Sequence, residues 1–341
     1  MTDPAALLAD SAWHLDALDL QAGRARFVKL ARGQLEDTPF LDERLDRTSL
    51  ESADIALGEL ASGSIPAPDR APVFIWHSAF CGSTLLARCL SAEGASVCLR
   101  EPAALMALAS LKRHGHTARF QQLAAPTFRT LGRTAGAGER AVIKPTNIVN
   151  NLVGEAAQAF PDAKHLFLTS DIEAFIVSIA KKAEPGRAFA RRMFALFARD
   201  GLSAGRIPGE QLFGLTDMQV AALVWHMEIE QMRAAQAALG TGRAAWLDGD
   251  AFIARPAEAL AAADAFFDIG LGEDRIAEVV SGPLMARDAK DPGRAFGAET
   301  RRSEGAAVRE QLGDDLGRIV EWSFQVLPST PRSAYLANAL I

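Results

Sequence analysis

The sequence predicts an α/β protein with three layers, in which helices cover both faces of a mainly parallel sheet of about five strands. Two observations support this fold class. From residue 73 onwards, short apolar segments alternate with longer segments whose apolar residues recur at helical spacing. Several polar residues also follow the apolar segments directly, and ligands of parallel sheets bind at the carboxyl ends of the strands.

The individual elements follow from these two periodicities. Short apolar runs predict five strands: Val73–Trp76, Ser96–Leu99, Ala141–Lys144, His165–Thr169 and Ala244–Leu247. Helical spacing of apolar residues predicts the helices: Thr84–Ala92, Ala103–Arg113, Ala118–Leu131, Asn147–Ala159, Ile172–Lys182, Thr216–Leu239, Ala257–Phe267, Asp274–Val280 and Glu304–Val326.

A separate N-terminal extension is predicted before the α/β domain. Apolar positions at helical spacing in Ala5–Leu18 and Phe27–Leu35 predict that residues 1–61 form helices. Residues 62–72 are rich in glycine, proline and serine, which indicates a linker. The α/β domain then comprises residues 73–341.

Composition narrows the class of protein. Of the 341 residues, 49% are hydrophobic and 23% are charged, as in globular proteins with a sizeable core. The net charge of −6 argues against nucleic-acid partners, which require a basic face. The first residues lack a signal-peptide pattern, and no apolar run approaches the roughly 18–20 residues that span a bilayer. We therefore expect a cytoplasmic protein without a membrane span, and leave homo-oligomerisation open.

The turn after the first predicted strand is the most informative segment. Mostly small residues follow Val73–Trp76, and an apolar helix begins at about Thr84. In such a turn, backbone N–H groups point into one concavity at the positive end of a helix dipole, which binds phosphate or sulfate. The alternative is a strand–turn–helix that holds no ligand. The candidate anion-binding residues are consecutive: Ser78, Ala79, Phe80, Cys81, Gly82, Ser83 and Thr84.

Two familiar phosphate-binding motifs do not fit this turn. The ATP-binding motif G-x-x-x-x-G-K-S/T requires an initial glycine and a lysine, whereas residues 77–84 read His-Ser-Ala-Phe-Cys-Gly-Ser-Thr. The missing lysine disfavours an ordinary ATPase or kinase. The phosphatase motif places five residues between its cysteine and arginine, but six residues separate Cys81 from Arg88.

Two charged residues at strand ends are candidates for catalysis. Glu101 follows the second predicted strand, where it is either a general base or a favourable acid at a helix N-terminus. Lys144 ends the third strand and precedes Pro145, which holds it in an extended conformation with its ammonium towards the rim of the sheet. There it would neutralise charge on a leaving group, unless it is a surface lysine whose stem packs on apolar residues.

The turn resembles the 5′-phosphosulfate loop of the sulfotransferase family, a strand followed by G-x-x-R-S-G-T-T-L. Over residues 77–85, Gly82, Thr84 and Leu85 coincide with this pattern, and Ser83 is a conservative replacement. Phe80 stands where the family has its basic residue. Family members also have a Glu or His, and a lysine, at strand ends that correspond to those of Glu101 and Lys144.

Two later segments extend the resemblance. Leu166–Ser178 is similar to the family's 3′-phosphate-binding segment, a strand followed by R-D-P-x-D-x-x-x-S. Ser178 is in register, and Ser170 replaces the arginine. A late basic loop closes over the donor phosphates in the family, and here Lys290 and Arg294 occupy a comparable place. The basic run after Ser178 either compensates for the replaced residues or is a solvated helix face: Lys181, Lys182, Arg187, Arg191 and Arg192.

The resemblance implies transfer of a sulfuryl group from 3′-phosphoadenosine 5′-phosphosulfate to a hydroxyl or amine of a small-molecule acceptor. It implies adenosine 3′,5′-bisphosphate as the product nucleotide and no required metal. Glu101 would be the base, and Lys144 would neutralise the leaving group. Two alternatives stay open: a different P-loop protein with kinase-like phosphoryl transfer, and a non-catalytic nucleotide-binding module.

Overall fold

The computed structural model describes residues 3–203, 207–287, 289, 298–327 and 339–341. The strands are β1 (Trp13–Asp19), β2 (Arg24–Lys29), β3 (Ser52–Ala56), β4 (Val73–His77), β5 (Ser96–Arg100), β6 (Arg140–Lys144), β7 (Lys164–Thr169) and β8 (Ala244–Asp248). The helices before β7 are α1 (Pro4–Ala9), α2 (Arg32–Asp37), α3 (Leu57–Ser62), α4 (Ser83–Cys89), α5 (Ala104–Arg113), α6 (Thr117–Leu131) and α7 (Val153–Ala159). The later helices are α8 (Ile172–Lys181), α9 (Ala183–Arg199), α10 (Gly209–Leu212), α11 (Asp217–Leu239), α12 (Gly249–Ala254), α13 (Pro256–Phe267), α14 (Glu273–Ser281), α15 (Pro283–Ala286), α16 (Ala298–Leu312) and α17 (Asp314–Val326).

The main sheet contains five parallel strands in the order β5-β6-β4-β7-β8. Every residue of β4, β5 and β6 is buried, as is typical of parallel strands covered on both faces. All five predicted strands are present, and each of their ends lies within one residue of the prediction. The predicted α/β fold with a parallel sheet of about five strands is confirmed.

The predicted helices differ from the structure at three places. The predicted helix Thr84–Ala92 ends three residues earlier, at Cys89. Residues 147–152 form a 3₁₀ helix that leads into α7, so the predicted helix Asn147–Ala159 is only partly α-helical. The predicted helix Glu304–Val326 is interrupted at Gly313, whose φ of 52° separates α16 from α17. In the described part of the chain, no helix combines the length and the apolar character needed to cross a membrane.

The strand order brings the candidate residues to one edge of the sheet. The chain passes from β4 to β5 and β6 on one side and then to β7 and β8 on the other. The turn after β4 therefore lies between the carboxyl ends of β6 and β7, which is where parallel sheets bind ligands. Arg100 of β5 pairs with Lys144 of β6, so the next residue, Glu101, is placed beside Lys144.

The N-terminal extension contains a three-stranded sheet, and its prediction as helices alone is wrong. Strands β1, β2 and β3 pair in antiparallel fashion, and the helices α1, α2 and α3 have only six residues each. In β2, Ala25 and Phe27 are buried while Arg24 and Arg26 are exposed, which is the two-residue period of a strand. Gly23, with a φ of 68°, turns β1 into β2. Apolar spacings of four residues in this segment fit both a helix and a strand, and the tight turn favours the sheet.

A buried arginine ties the beginning of the chain to the end of α6. Arg133 is 7% exposed and donates hydrogen bonds to the carbonyls of Leu8 (2.7 Å), Asp10 (3.1 Å) and Trp13. We expect Arg133→Ala to lower the free energy of unfolding by about 2–4 kcal/mol, because these buried carbonyls lose a charged donor. Urea unfolding followed by circular dichroism measures the change. The control is Arg129→Ala, an exposed residue of α6, and an equal effect in both variants would contradict the prediction.

Candidate functional site

The turn between β4 and α4 has a constrained backbone. Ala79, Phe80 and Gly82 have φ angles of 67°, 53° and 86°, in the left-handed region. A residue other than glycine costs about 1–3 kcal/mol there, and such residues cluster at ligand-binding segments. The N–H groups of Phe80, Gly82 and Ser83 donate no hydrogen bond within the described part of the chain. The turn therefore offers several backbone donors to an anion.

Internal hydrogen bonds hold the first half of this turn. The N–H of Ala79 donates to Nδ1 of His77 (3.0 Å), so Nε2 of that ring donates to the carbonyl of Pro145 (3.0 Å). The N–H of Ser78 donates to the carbonyl of Leu168 (3.2 Å). Ser78 and Ala79 are predicted to bind the anion, but their N–H groups instead fix the shape of the turn.

A glycine outside the turn allows a neighbouring helix to pack against it. The Cβ of any larger residue at Gly249, the first residue of α12, would lie 2.3 Å from the carbonyl oxygen of Cys81. The thiol of Cys81 is buried and donates to the carbonyl of Leu168 (3.4 Å), so this predicted anion ligand also serves the packing of the turn. Our sequence reasoning missed Gly249. Its signal was a glycine directly after the strand residue Asp248.

This close approach makes Gly249 sensitive to substitution. We expect Gly249→Ala to destabilise the fold by about 1–3 kcal/mol, because the added methyl group displaces the backbone of Cys81. Thermal unfolding measures the change. Gly154→Ala is the control, since a Cβ there meets no atom within 4 Å and alanine favours the helix α7. Equal stability of the Gly249 variant and the wild type would contradict the close contact.

Two buried hydroxyl groups near the turn have no partner among the described residues. Thr84 is 3% exposed and Ser170 is 1% exposed, and neither side-chain oxygen makes a hydrogen bond there. Leaving a buried polar group unsatisfied costs about 1–3 kcal/mol. Both hydroxyls belong to the predicted anion-binding residues, and neither is used in a hydrogen bond among the described residues.

Glu101 and Lys144 form a buried ion pair beside the turn. Nζ of Lys144 lies 2.5 Å from Oε1 of Glu101, and the side chains are 1% and 12% exposed. Nη2 of Arg44, from the N-terminal extension, donates to Oε2 of Glu101 (3.1 Å). Glu101 has a left-handed φ of 54°, and its N–H donates to the carbonyl of Lys144 (2.6 Å). Backbone and side chain together fix this carboxylate.

Lys144 lies at the carboxyl end of β6, and its side chain is buried there. The sequence predicts an ammonium towards the rim of the sheet, and the side chain is almost fully buried at that end of the strand. Glu101 lines the adjacent cavity, whereas Lys144 does not. The ammonium is therefore covered by the carboxylate that it binds, and the alternative of a surface lysine is wrong.

A cavity of about 250 Å³, here called the site cavity, joins these features. Its lining combines turn residues with charged residues of other elements, including Ala79, Phe80, Ser83, Arg44, Glu101 and Arg192. Of the predicted residues, the structure thus brings Glu101 together with the turn. It adds Arg44, a residue of the N-terminal extension that no sequence motif marks.

Phe80, the apolar residue of the turn, has basic neighbours. Its ring packs against Phe189 (centroids 5.2 Å apart), and Nζ of Lys182 lies 5.5 Å from the ring centroid. Arg192 lines the site cavity and has no ion pair among the described residues. Lys182 and Arg192 of the basic run therefore lie near Phe80. Arg191, by contrast, pairs with Asp217.

Ser178 lies in a different cavity. This α8 cavity of about 380 Å³ is lined by Ser178, Lys181, Ile253 and Arg309, among others. The hydroxyl of Ser178 donates to the carbonyl of Ala174 in its own helix (2.8 Å). Ile253 lies between the α8 cavity and the turn. It lines the cavity, and its Cδ1 is 3.6 Å from where a Cβ on Gly82 would lie.

The last two predicted ligands, Lys290 and Arg294, lie outside the described residues. The structure therefore gives no position for the late basic loop, and their role stays a prediction.

Comparisons with known proteins found similar folds but no match by sequence. No family model and no curated protein matches the chain. A sulfotransferase domain from the curacin biosynthetic pathway is 15% identical (TM-score 0.44) and covers 73% of this chain and 98% of its own. A sulfotransferase from Alicyclobacillus acidocaldarius is 15% identical with a TM-score of 0.38, and the match covers 78% of this chain and 99% of that protein. A sulfotransferase from Mycobacterium avium is 13% identical with a TM-score of 0.39, and the match covers 72% of this chain and 77% of that protein. At these identities the similarity concerns the fold alone.

Proposed function

We propose that this protein transfers a sulfuryl group from 3′-phosphoadenosine 5′-phosphosulfate to a hydroxyl or amine of a small-molecule acceptor. One observation carries the proposal: Glu101, a carboxylate fixed by two cations, shares a cavity with a turn whose backbone donors are unpaired among the described residues. In the proposed reaction Glu101 would be a proton acceptor beside an anion-binding loop, and such an arrangement supports transfer of an anionic group to a protonated nucleophile.

The residues present suit the donor. The N–H groups of Phe80, Gly82 and Ser83 and the unpartnered hydroxyl of Thr84 would hold its phosphosulfate end. Two cationic side chains of the α8 cavity would meet its phosphoadenosine end: Arg309, and Lys181, which pairs with Glu304. The carboxylates of Asp171 and Asp250 line the same cavity. When bound, the donor supplies an activated sulfuryl group on a phosphate leaving group.

The protein groups then have distinct tasks. Glu101 takes the proton of the acceptor as the new bond from oxygen or nitrogen to sulfur forms and the bond between sulfur and the phosphate oxygen breaks. Lys144 exchanges its contact with Glu101 for that phosphate oxygen, where negative charge develops. The exchange is favoured at this moment, because protonation removes the negative charge of Glu101.

Calorimetric titration with adenosine 3′,5′-bisphosphate, ATP and GTP tests this proposal. We expect the bisphosphate to bind at micromolar concentrations and the two triphosphates to bind at least tenfold more weakly. Tight binding of ATP or GTP without binding of the bisphosphate would favour kinase-like phosphoryl transfer. Binding of the bisphosphate without transfer to any of a panel of alcohols, phenols and amines would favour a non-catalytic module.

A further inference from the structure

The segment between α2 and β3 reaches from the N-terminal extension to the site. The N–H of Leu41 donates to the carbonyl of Arg100 (2.7 Å), and the N–H of Ala103 donates to the carbonyl of Leu41 (2.9 Å). These two bonds lie on either side of Glu101 along the chain. The extension is therefore joined to the strand end that carries the carboxylate, and Arg44 follows three residues after Leu41.

Asp42 and Phe40 hold Arg44 in place in addition to Glu101. Its Nε donates to Oδ1 of Asp42 (2.9 Å), its Nη2 contacts Oδ2 of the same carboxylate, and its guanidinium carbon lies 3.4 Å from the ring centroid of Phe40. Burial alone would raise the pKa of Asp42, but the hydrogen bonds from Arg44 outweigh it and lower that pKa. The partner of Arg44 thus stays ionised, and the guanidinium is fixed by a planar ion pair and an aromatic face.

Arg44 and Lys144 bind different oxygens of Glu101. Arg44 contacts Oε2, and Lys144 contacts Oε1. The terminal torsion of a glutamate side chain is broad, so one cation alone does not fix the plane of the carboxylate. A carboxylate has about four lone-pair sites, so two contacts leave others to accept the proton of an acceptor.

We propose that Arg44 is a positioning residue that sets the orientation of the Glu101 carboxylate. This inference rests on the proposed function, in which Glu101 is the base. Without Arg44, the carboxylate can turn so that both of its oxygens bind Lys144. This turn misaligns the base and adds a second contact that Lys144 must break to reach the leaving group. Arg44 also lines the site cavity. A role in acceptor binding would raise the KM for the acceptor, whereas positioning lowers kcat.

A double-mutant cycle separates positioning from a structural role. The variants are Arg44→Gln, Glu101→Gln and the double variant, assayed with labelled donor and the best acceptor of the panel. We expect Arg44→Gln to lower kcat about 100-fold with KM within a few-fold of the wild type, since small misplacements cost about that much. Because Arg44 acts through Glu101, the double variant should be no slower than Glu101→Gln.

Two further variants keep the test decisive. Arg26→Gln is the matched control, because Arg26 pairs with Asp54 (3.3 Å) in the N-terminal sheet, outside the site cavity, and we expect unchanged kcat. Arg44→Lys keeps the charge without the planar fork and should recover only part of the rate. An unchanged kcat in Arg44→Gln would overturn the positioning role alone. So would a double variant whose loss of kcat equals the product of the two single losses. A wild-type protein that neither binds the bisphosphate nor transfers sulfate would overturn the proposed function and this inference together.

Discussion

Lys144→Ala is expected to lower the rate of sulfuryl transfer by about 100–1,000-fold, the usual loss when one preorganised donor to a developing negative charge is removed. Lys144 is 1% exposed, so bulk water does not replace its ammonium. Single-turnover transfer of labelled sulfate to the best acceptor measures the effect. Binding of adenosine 3′,5′-bisphosphate, measured separately by calorimetry, should weaken by a smaller factor, because the turn and the α8 cavity remain.

A loss of stability in Lys144→Ala must be distinguished from a loss of catalytic rate. Removing Lys144 takes one of the two cations from Glu101 and leaves Arg44, and breaking a buried ion pair costs about 3–5 kcal/mol. A second variant, Lys144→Met combined with Glu101→Gln, removes both charges and should fold more stably while remaining inactive. Lys164→Ala, at the amino end of β7 on the opposite edge of the sheet, should leave the rate unchanged. A folded Lys144 variant that keeps more than a tenth of the wild-type rate would exclude Lys144 from the reaction.

The main sheet could be predicted because its signals are local. Each strand from β4 to β8 is a short apolar run between helical segments, which is typical of a parallel strand buried on both faces. The same strand ends predict Glu101 and Lys144 at one edge, and the register of β5 with β6 pairs Lys144 with Arg100, the residue before Glu101. The backbone of the turn was predictable in part, because Gly82 marks a position with positive φ.

The rest of the site depends on contacts between distant segments. The sequence around Arg44 carries no motif, and its role arises only because Leu41 hydrogen-bonds the end of β5. Lys144 is buried because Glu101 and Phe40 lie over it. A lysine at a strand end does not by itself predict this burial. The apolar spacing in the N-terminal extension wrongly predicts helices, because a spacing of four residues fits a helix as well as a strand. Tertiary packing decided between the two structures.

Glu228, behind the site, should make stability depend on pH. It is fully buried in α11, where Oε1 accepts a hydrogen bond from Asn147 (2.8 Å) and Oε2 has no partner among the described residues. Burial raises the pKa of Glu228 well above its usual range, and the bond from Asn147 offsets only part of this. In the unfolded chain this carboxyl loses its proton above about pH 4.3, whereas the folded protein keeps it. Between the two pKa values the folded state binds more protons, so stability falls as pH rises, by about 1.4 kcal/mol per pH unit.

Glu228→Gln removes this titration while keeping an oxygen for Asn147. We expect the variant and the wild type to have similar free energies of unfolding near pH 4, and the variant to become the more stable of the two as pH rises towards 8. Urea unfolding at a series of pH values measures both curves, with Glu173→Gln, an exposed residue of α8, as the control. Parallel curves for wild type and Glu228→Gln would show that the carboxyl is ionised in the folded protein. Because Asn147 lines the site cavity, a neutral Glu228 also means that the wall of the site is held by an uncharged hydrogen bond.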